Sequence, residues 1–397
     1  MKSLGILALT LALMLLGSCA LAQAPMRLHV QRDALDAGQA LRLLGLLQAE
    51  YGDDSWMLME DARPLRDLVL AGDAPDLAIC SPGEARRFAQ EGLLLALQDQ
   101  VEHQAQMQRQ VLDSCVCGEN LFMAPLMARH RQMAVNVRLF EEAGLGYMLD
   151  REMYPVWFPA QFYQIMEEFM LRDTVTLDIW RPEADSSAAI EALTQAIFGG
   201  ELITQDGEGF AVNTRDMQAG VLWLSDAVDA RMIGWCESRE EALARFLGGE
   251  TAIFIDWTPA QAQQSGGDVQ EIEILAVPYP GESGVPVRSF ELTGVCAFAG
   301  GDAGREEKLR CAAALLYDQA KTMLGAQGIW QDHAVWLWDP LARDGGATLR
   351  SLYAEALCRV LEQDADAQEE LERVQAAMET LGQTQMDSTI KKVQKNR

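Results

Sequence analysis

Short apolar runs and amphipathic stretches alternate along the first part of the chain. Arg27 to Val30 is a brief run that suits a strand, and Gly38 to Tyr51 follows it. The second stretch carries apolar residues at 41, 43, 44, 46 and 47, which is one buried face of a helix. Ser55 to Met59 reads as a second strand and Leu65 to Ala71 as a second helix. Gly72-Asp73-Ala74-Pro75 closes that helix, because Gly tolerates positive φ and Pro cannot continue a helix. Asp76 to Cys80 is an apolar run of the kind found in buried parallel strands. Ser81-Pro82 then stops the strand and starts a helix ending at Gly92, with Ser as N-cap and Pro at the first helical position. The β-α-β-α-β-α order predicts a parallel sheet with right-handed crossovers. A strand whose carboxyl end gives way to a small hydroxyl and a helix start is where open α/β sheets bind ligands.

The pattern continues without internal repeats. Leu121 to Met127, with Pro125 inside it, and Arg131 to Val137 read as two further strands, and Arg138 to Leu145 as a helix end. Val175 to Trp180 reads as a strand, Ser186 to Phe198 as a helix closed by Gly199-Gly200, and Arg215 to Ala230 as a helix running into Ile233-Gly234. Glu240 to Leu247 is a helix that stops at Gly248-Gly249, and Thr251 to Ile255 is a strand that delivers Asp256-Trp257 at its carboxyl end. Strands at Ile272 to Val277 and Leu292 to Phe298, a helix from Lys308 to Leu324, and Ala/Glu/Leu-rich helices from Thr348 to about Gln383 complete the set.

In this order the segments resemble the extracellular solute-binding proteins of ABC importers, in the carbohydrate-binding, maltose-binding-protein-like group. Four stretches carry the resemblance. They are the unit from Gly72 to Leu97; the strand with Pro125 followed by Asn136-Val137-Arg138 and Leu139-Phe140-Glu141-Glu142-Ala143-Gly144-Leu145; the unit from Glu240 to Trp257; and Ile272 to Gly281 with its Pro278-Tyr279-Pro280-Gly281 end. The resemblance spans roughly residues 26 to 385. It implies an α/β, two-lobed periplasmic-binding-protein-like fold of class II topology, with a ligand cleft between the lobes. The chain is then expected to cross between lobes near residues 123–127, 274–278 and 311–316, with Pro125 a hinge element. Lobe I would hold 25–126 and 277–312, lobe II 127–276 and 313–385, and 386–397 would be a flexible basic tail. The implied function is capture of a small ligand, a mono- or oligosaccharide, and its delivery to ABC permease subunits by a monomer that uses no cofactor and no metal. The alternative is a non-transporting binding-protein-like module in sensing or scaffolding at the cell surface. It is motivated by departures from the family pattern around Trp157 and at Asn136-Val137-Arg138.

The first residues point outside the cytoplasm. Lys2 is followed by an apolar run from Leu4 to Leu16, too short to span a bilayer and suited to a signal peptide core. Leu16-Gly17-Ser18-Cys19 resembles a lipobox, which would make Cys19 a lipid attachment site that holds the protein to the membrane; Ala20-Leu21-Ala22 offers a competing cleavage site before Gln23. The chain has 397 residues and a formal charge of −27. That charge argues against nucleic acid as a partner, since phosphate binding needs clustered Lys and Arg. Beyond Cys19 there are seven cysteines, at 80, 115, 117, 236, 296, 311 and 358, an odd number at scattered spacings that forms no disulfide framework and no zinc signature. Cys115-Val116-Cys117 could bind a metal or form a strained local disulfide, and most of the seven read as small buried hydrophobes.

The chain holds four His, and none of the Gly-x-Ser-x-Gly, His-Glu-x-x-His, phosphate-loop or Gly-x-Gly-x-x-Gly motifs, so the residues point to a binder and not an enzyme. Sugars are held by aromatic faces and by planar polar groups along their hydroxyls. Trp257 beside Asp256, and Trp180, each at a strand end, are the leading ligand-binding candidates. Trp336 and Trp338 flank Leu337 and share a face if extended. His29, Ser81, Arg129 and Thr293 are the remaining polar candidates.

Overall fold

The structure, a computed structural model, describes residues 24–31, 34–35, 37–59, 63–102, 104–107, 109–149, 155–182, 187–204, 209–257, 272–281, 286–323, 335–337 and 346–395. Its opening third follows the hydrophobic pattern closely. Strands β1 (Met26–Val30), β2 (Trp56–Leu58) and β3 (Leu77–Cys80) alternate with helices α1 (Ala37–Tyr51), α2 (Leu65–Leu70) and α3 (Pro82–Gln90). The three strands are parallel, in the order β2-β1-β3. Helix α3 starts as its sequence dictates, with Ser81 as N-cap and Pro82 in the first turn. After α4 (Arg109–Cys115) and the small hairpin β4 (Val116–Cys117) and β5 (Asn120–Leu121) comes β6 (Ala124–Asn136). Then follow α5 (Val137–Glu142), α6 (Pro159–Met170), β7 (Leu177–Trp180), α7 (Ala188–Phe198), α8 (Arg215–Asp229), β8 (Ile233–Cys236), α9 (Arg239–Leu247), β9 (Ile253–Trp257) and β10 (Ile274–Val277). The last elements are β11 (Val287–Ala297), α10 (Ala303–Met323), β12 (Val335–Leu337), α11 (Gly346–Gln363) and α12 (Ala367–Lys395).

Hydrogen bonding links the strands in the order β2-β1-β3-β11-β6-β9-β7-β8, with β10 also on β6 and β12 on β11. The ladder is continuous, but the packing is not. One apolar core takes residues from Met26 to Ala128 and from Leu292 to Ala320, and the other takes residues from Met133 to Val287 and from Leu349 to Met378. The molecule is therefore two lobes, and the strands β6 and β11 run through both. The first half of β6 pairs with β11, from Ala124 opposite Val295 to His130 opposite Phe290. Its second half pairs with β9 and β10, through Gln132 opposite Trp257 and Asn136 opposite Ile274.

This arrangement moves the crossings from where the sequence pattern puts them. The cores divide between Ala128 and Met133, between Val287 and Leu292, and between Ala320 and Leu349, in place of 123–127, 274–278 and 311–316. Each shift has a physical cause. The two expected strands around Pro125 and Val135 are one strand of 13 residues, which changes partners from β11 to β9 and β10 at the polar stretch Arg129-His130-Arg131. Pro125 sits inside lobe I opposite Gly294, at a bulge that spares it the missing ladder donor, and so is not at the hinge. Strand β10 packs on the lobe II half of β6, so the second crossing waits for β11. Leu309, Ala312, Ala313, Leu316 and Tyr317 of α10 fill the lobe I core, which delays the third. Helix α12 continues to Lys395, so the expected flexible tail is helical over 386–395.

Candidate functional site

Strand direction locates the site. In lobe I the parallel strands β1 and β3 end at Val30 and Cys80. Strand β11 runs antiparallel to β3, with Gly294 opposite Cys80, so Thr293 and the residues before it extend beyond the β3 carboxyl end toward the crossing. In lobe II, β9 is antiparallel to β6, with Trp257 opposite Gln132 and Ile253 opposite Val135. The carboxyl end of β9 therefore points back toward lobe I. Strands β7 and β8 are parallel to β9 and end at Trp180 and Cys236 on the same edge. Both lobes thus turn the carboxyl ends of their parallel strands toward the crossing segments, the edge at which open α/β sheets bind ligands.

The described candidates lie along these two edges or on the strands at the crossing between them, and they differ in the surface they offer. Ser81 is half-buried at the N-cap of α3, and its hydroxyl caps nothing in the helix; its backbone N–H donates to Gln31 Oε1 at 3.1 Å. His29 and Thr293 are buried. Arg129 is placed by its backbone, opposite Glu291 between the lobes. Trp336 is placed in the same way, in β12 opposite Arg288. Trp338 and Cys19 lie outside the described residues. The two leading tryptophans are covered by protein. Trp257 is 3% exposed and meets Phe246 edge-to-face, with ring centroids 6.3 Å apart. Trp180 is fully buried and stacks on Phe254 at 5.9 Å. In this conformation both indoles, offered by the sequence as ligand-binding candidates, are part of the lobe II core.

Asp256 is also buried, and it is tied down on two sides. Arg131 Nη1 donates to its Oδ1 at 2.6 Å, and Arg239 Nε donates to its Oδ2 while Nη2 reaches the Asp256 carbonyl at 3.2 Å. Arg131 also donates to Glu291 Oε2 at 2.9 Å. Its own burial would favour the neutral guanidine, but Asp256 and then Glu291 outweigh it and push Arg131 up, so it stays charged. Tyr279, fully buried nearby, donates its hydroxyl to the Ile255 carbonyl at 2.7 Å. Burial, with Asp256 adding to it, lifts that phenol well above its ordinary range.

Helix α9 supplies the cationic partners of two of the buried carboxylates of lobe II. Its N-cap Ser238 accepts from Glu241 N–H, and the helix lays Ala242 and Phe246 on the sheet. Arg239, in its first turn, pairs with Asp256 and lies over the Phe254 ring at 5.5 Å. Arg245, in its last turn, pairs with Asp178 of β7 at 3.0 Å. Asp178 fits a notch left by Gly234, where a Cβ would stand 1.9 Å from its Oδ1. Burial raises the Asp178 carboxyl to about 6 against the opposing pull of Arg245.

Sequence reasoning missed Arg131, Arg239, Glu291 and Tyr279. The signal for Arg131 was present. Three successive cationic or titratable residues, Arg129-His130-Arg131, interrupt an apolar strand, and a charge inside a strand is paired or functional. Among the described residues, no group of three or more His, Cys, Asp or Glu is placed to hold a metal ion.

No family model matches the chain, and no curated protein sequence matches it significantly. Solved structures do. UgpB from Mycobacterium tuberculosis, in complex with glycerophosphocholine, superposes with a TM-score of 0.71 at 14% identity, covering 92% of this chain and 100% of that one. The ABC substrate-binding protein Lmo0181 from Listeria monocytogenes, in complex with cycloalternan, gives 0.67 at 13% identity over 90% and 99% of the two chains. The cyclic alpha-maltosyl-1,6-maltose binding protein from Arthrobacter globiformis gives 0.66 at 14% identity over 89% and 97%. The chain has the two-lobed fold of the periplasmic binding proteins, with class II strand order and its carboxyl-end edges facing the gap between lobes.

Proposed function

We propose that this chain is an exported solute-binding protein that captures a mono- or oligosaccharide between its lobes and presents it to an ABC permease. The observation that carries the proposal is the register of β6, β9 and β11, which turns two sets of strand ends toward one gap. A small ligand held there touches both lobes and draws them together, the closure typical of hinged binding proteins. Cycloalternan in the Lmo0181 structure, and the cyclic maltosyl-maltose that names the Arthrobacter globiformis protein, support the ligand class. Ser81, Thr293, His29 and Arg129 are the polar groups assigned to the ligand, with Trp336 and Trp338 as the aromatic surface. Trp257, Trp180 and Asp256 shape the lobe II wall behind it. The protein binds its ligand without transforming it and works as a monomer. Cys19 carries a lipid that holds it at the outer face of the cell membrane, and mass spectrometry of the mature N-terminus checks this point: a free Gln23 end means simple secretion. No helix among the described residues is long and apolar enough to cross a membrane.

The test of function is a thermal-shift panel of mono- and oligosaccharides, with glycerophosphocholine as the non-sugar arm. A cognate sugar a hundredfold above its Kd stabilises the folded protein by about 2.7 kcal/mol, a shift of several degrees. A panel in which glycerophosphocholine alone shifts the transition removes the sugar assignment. A panel with no shift removes ligand capture.

A further inference from the structure

We propose that Cys80 and Cys296 form a redox pair that closes to an internal disulfide when the chain folds in the presence of a disulfide oxidant. The two lie 216 residues apart in sequence, on β3 and β11, and their sulfurs are 4.0 Å apart. The register explains the approach. Cys80 stands opposite Gly294, and Cys296 opposite Ala78, so the cysteines are diagonal neighbours on one face of an antiparallel pair. Gly294, which faces Cys80, adds no side chain of its own, and Met123 packs over it. Closing the bond brings them from 4.0 Å to about 2 Å. The other five thiols, at 115, 117, 236, 311 and 358, are scattered, and among the described residues this is the one thiol–thiol contact.

Both sulfurs are fully buried, so the reaction belongs to folding, before helices cover the sheet. In the finished structure the Cys296 hydrogen bond and burial hold Cys80 as a neutral thiol, which is a poor nucleophile. In the folding chain one thiolate attacks the oxidant disulfide and releases one thiol. The second thiolate then attacks the resulting mixed disulfide and releases the other. Two cysteine thiols are oxidised, one external disulfide is reduced to two thiols, and the two protons pass to the released thiolates. The bond would join the strand that precedes Ser81 to the lobe I end of the strand that carries the second crossing, fixing the lobe I edge of the site.

The inference rests on the proposed export only for the source of the oxidant, so the experiment uses purified chain beginning after Cys19. Denatured, reduced protein is refolded in mixed reduced and oxidised glutathione, then unfolded, alkylated and mapped by mass spectrometry. We expect five of the seven thiols to alkylate, the pair being withdrawn, and one cross-linked species joining the Cys80 and Cys296 peptides. The oxidised protein should melt several degrees above protein refolded in reductant, a difference that C80A and C296A abolish. Seven alkylated thiols, or a disulfide between other cysteines, overturn the proposal. The wild-type peptide map decides even where a variant fails to fold. A pair that closes in glutathione but is reduced in protein recovered from cells supports the pair and counts against export into an oxidising space.

Discussion

Arg131 and Asp256 stand 125 residues apart in sequence, and their side chains meet at 2.6 Å beside the first passage between lobes. Arg131 belongs to the crossing strand β6, and Asp256 to the lobe II strand β9. Glu291, on the second crossing strand β11, takes the other arm of the same guanidinium. One side chain therefore ties both crossing strands to lobe II. Removing one partner of a buried ion pair leaves an uncompensated charge, which costs about 3–5 kcal/mol. Arg239 still holds Asp256, so Arg131→Met should show a loss of up to that size in urea unfolding. Glu291→Gln should cost less, about 1 kcal/mol or below, because Glu291 is 29% exposed and Arg131 keeps Asp256. Equal losses from the two would mean that the cluster does not centre on Arg131.

That cluster also marks the limit of what the sequence discloses. The elements from β1 to α3 are local events: apolar runs, a Gly-Asp-Ala-Pro stop and a Ser-Pro start, each readable within a few residues. The crossings are not local. Whether residues 274–278 serve one lobe or the other depends on β10 finding the far half of β6, a pairing over 130 residues distant that no short pattern encodes. The tryptophans show the same limit. Asp256-Trp257 at a strand end reads as a ligand surface, and only the packing of α9 reveals that Phe246 covers the indole and Arg239 the carboxylate.

Asp178 gives a pH prediction with a defined sign. Its carboxyl is raised from 3.8 to about 6 in the folded protein, chiefly by burial. The folded state therefore holds this proton more tightly than the unfolded chain does, and stability from this group falls as pH rises from about 4 to about 6. The penalty is fully present above pH 6 and is of order 3 kcal/mol at 1.36 kcal/mol per unit. Many other carboxylates titrate in the same window, so the informative quantity is the difference from Asp178→Asn. Wild type should gain stability relative to that variant on acidification from pH 6.5 to 4.5. A difference that stays flat would remove the assignment.

Trp257→Ala tests the lobe II core. An indole 3% exposed, packed on Phe246, is a full-sized core side chain, and its truncation leaves a cavity as well as lost burial. A loss of about 3–5 kcal/mol is expected, read as a lower urea midpoint or melting temperature. A variant as stable as wild type, with affinity for the best ligand of the thermal-shift panel reduced, would instead return Trp257 to the ligand surface.

Ser81 should behave in the opposite way. An N-cap serine usually contributes about 1 kcal/mol through a bond from its hydroxyl to the helix backbone. Here the hydroxyl makes no such cap, and the half-buried side chain sits at the β3 carboxyl end, on the edge that faces lobe II. Ser81→Ala should therefore change the melting temperature by little, a few tenths of a kcal/mol. If the hydroxyl bonds a sugar, its loss should weaken binding by about 0.5–1.5 kcal/mol, a few-fold to tenfold in Kd. Calorimetric titration with the best sugar from the thermal-shift panel measures the second quantity, and melting of the free protein the first. A stability loss near 1 kcal/mol with unchanged affinity would make Ser81 an ordinary helix cap and move the lobe I ligand contacts to Thr293 and the crossing strands.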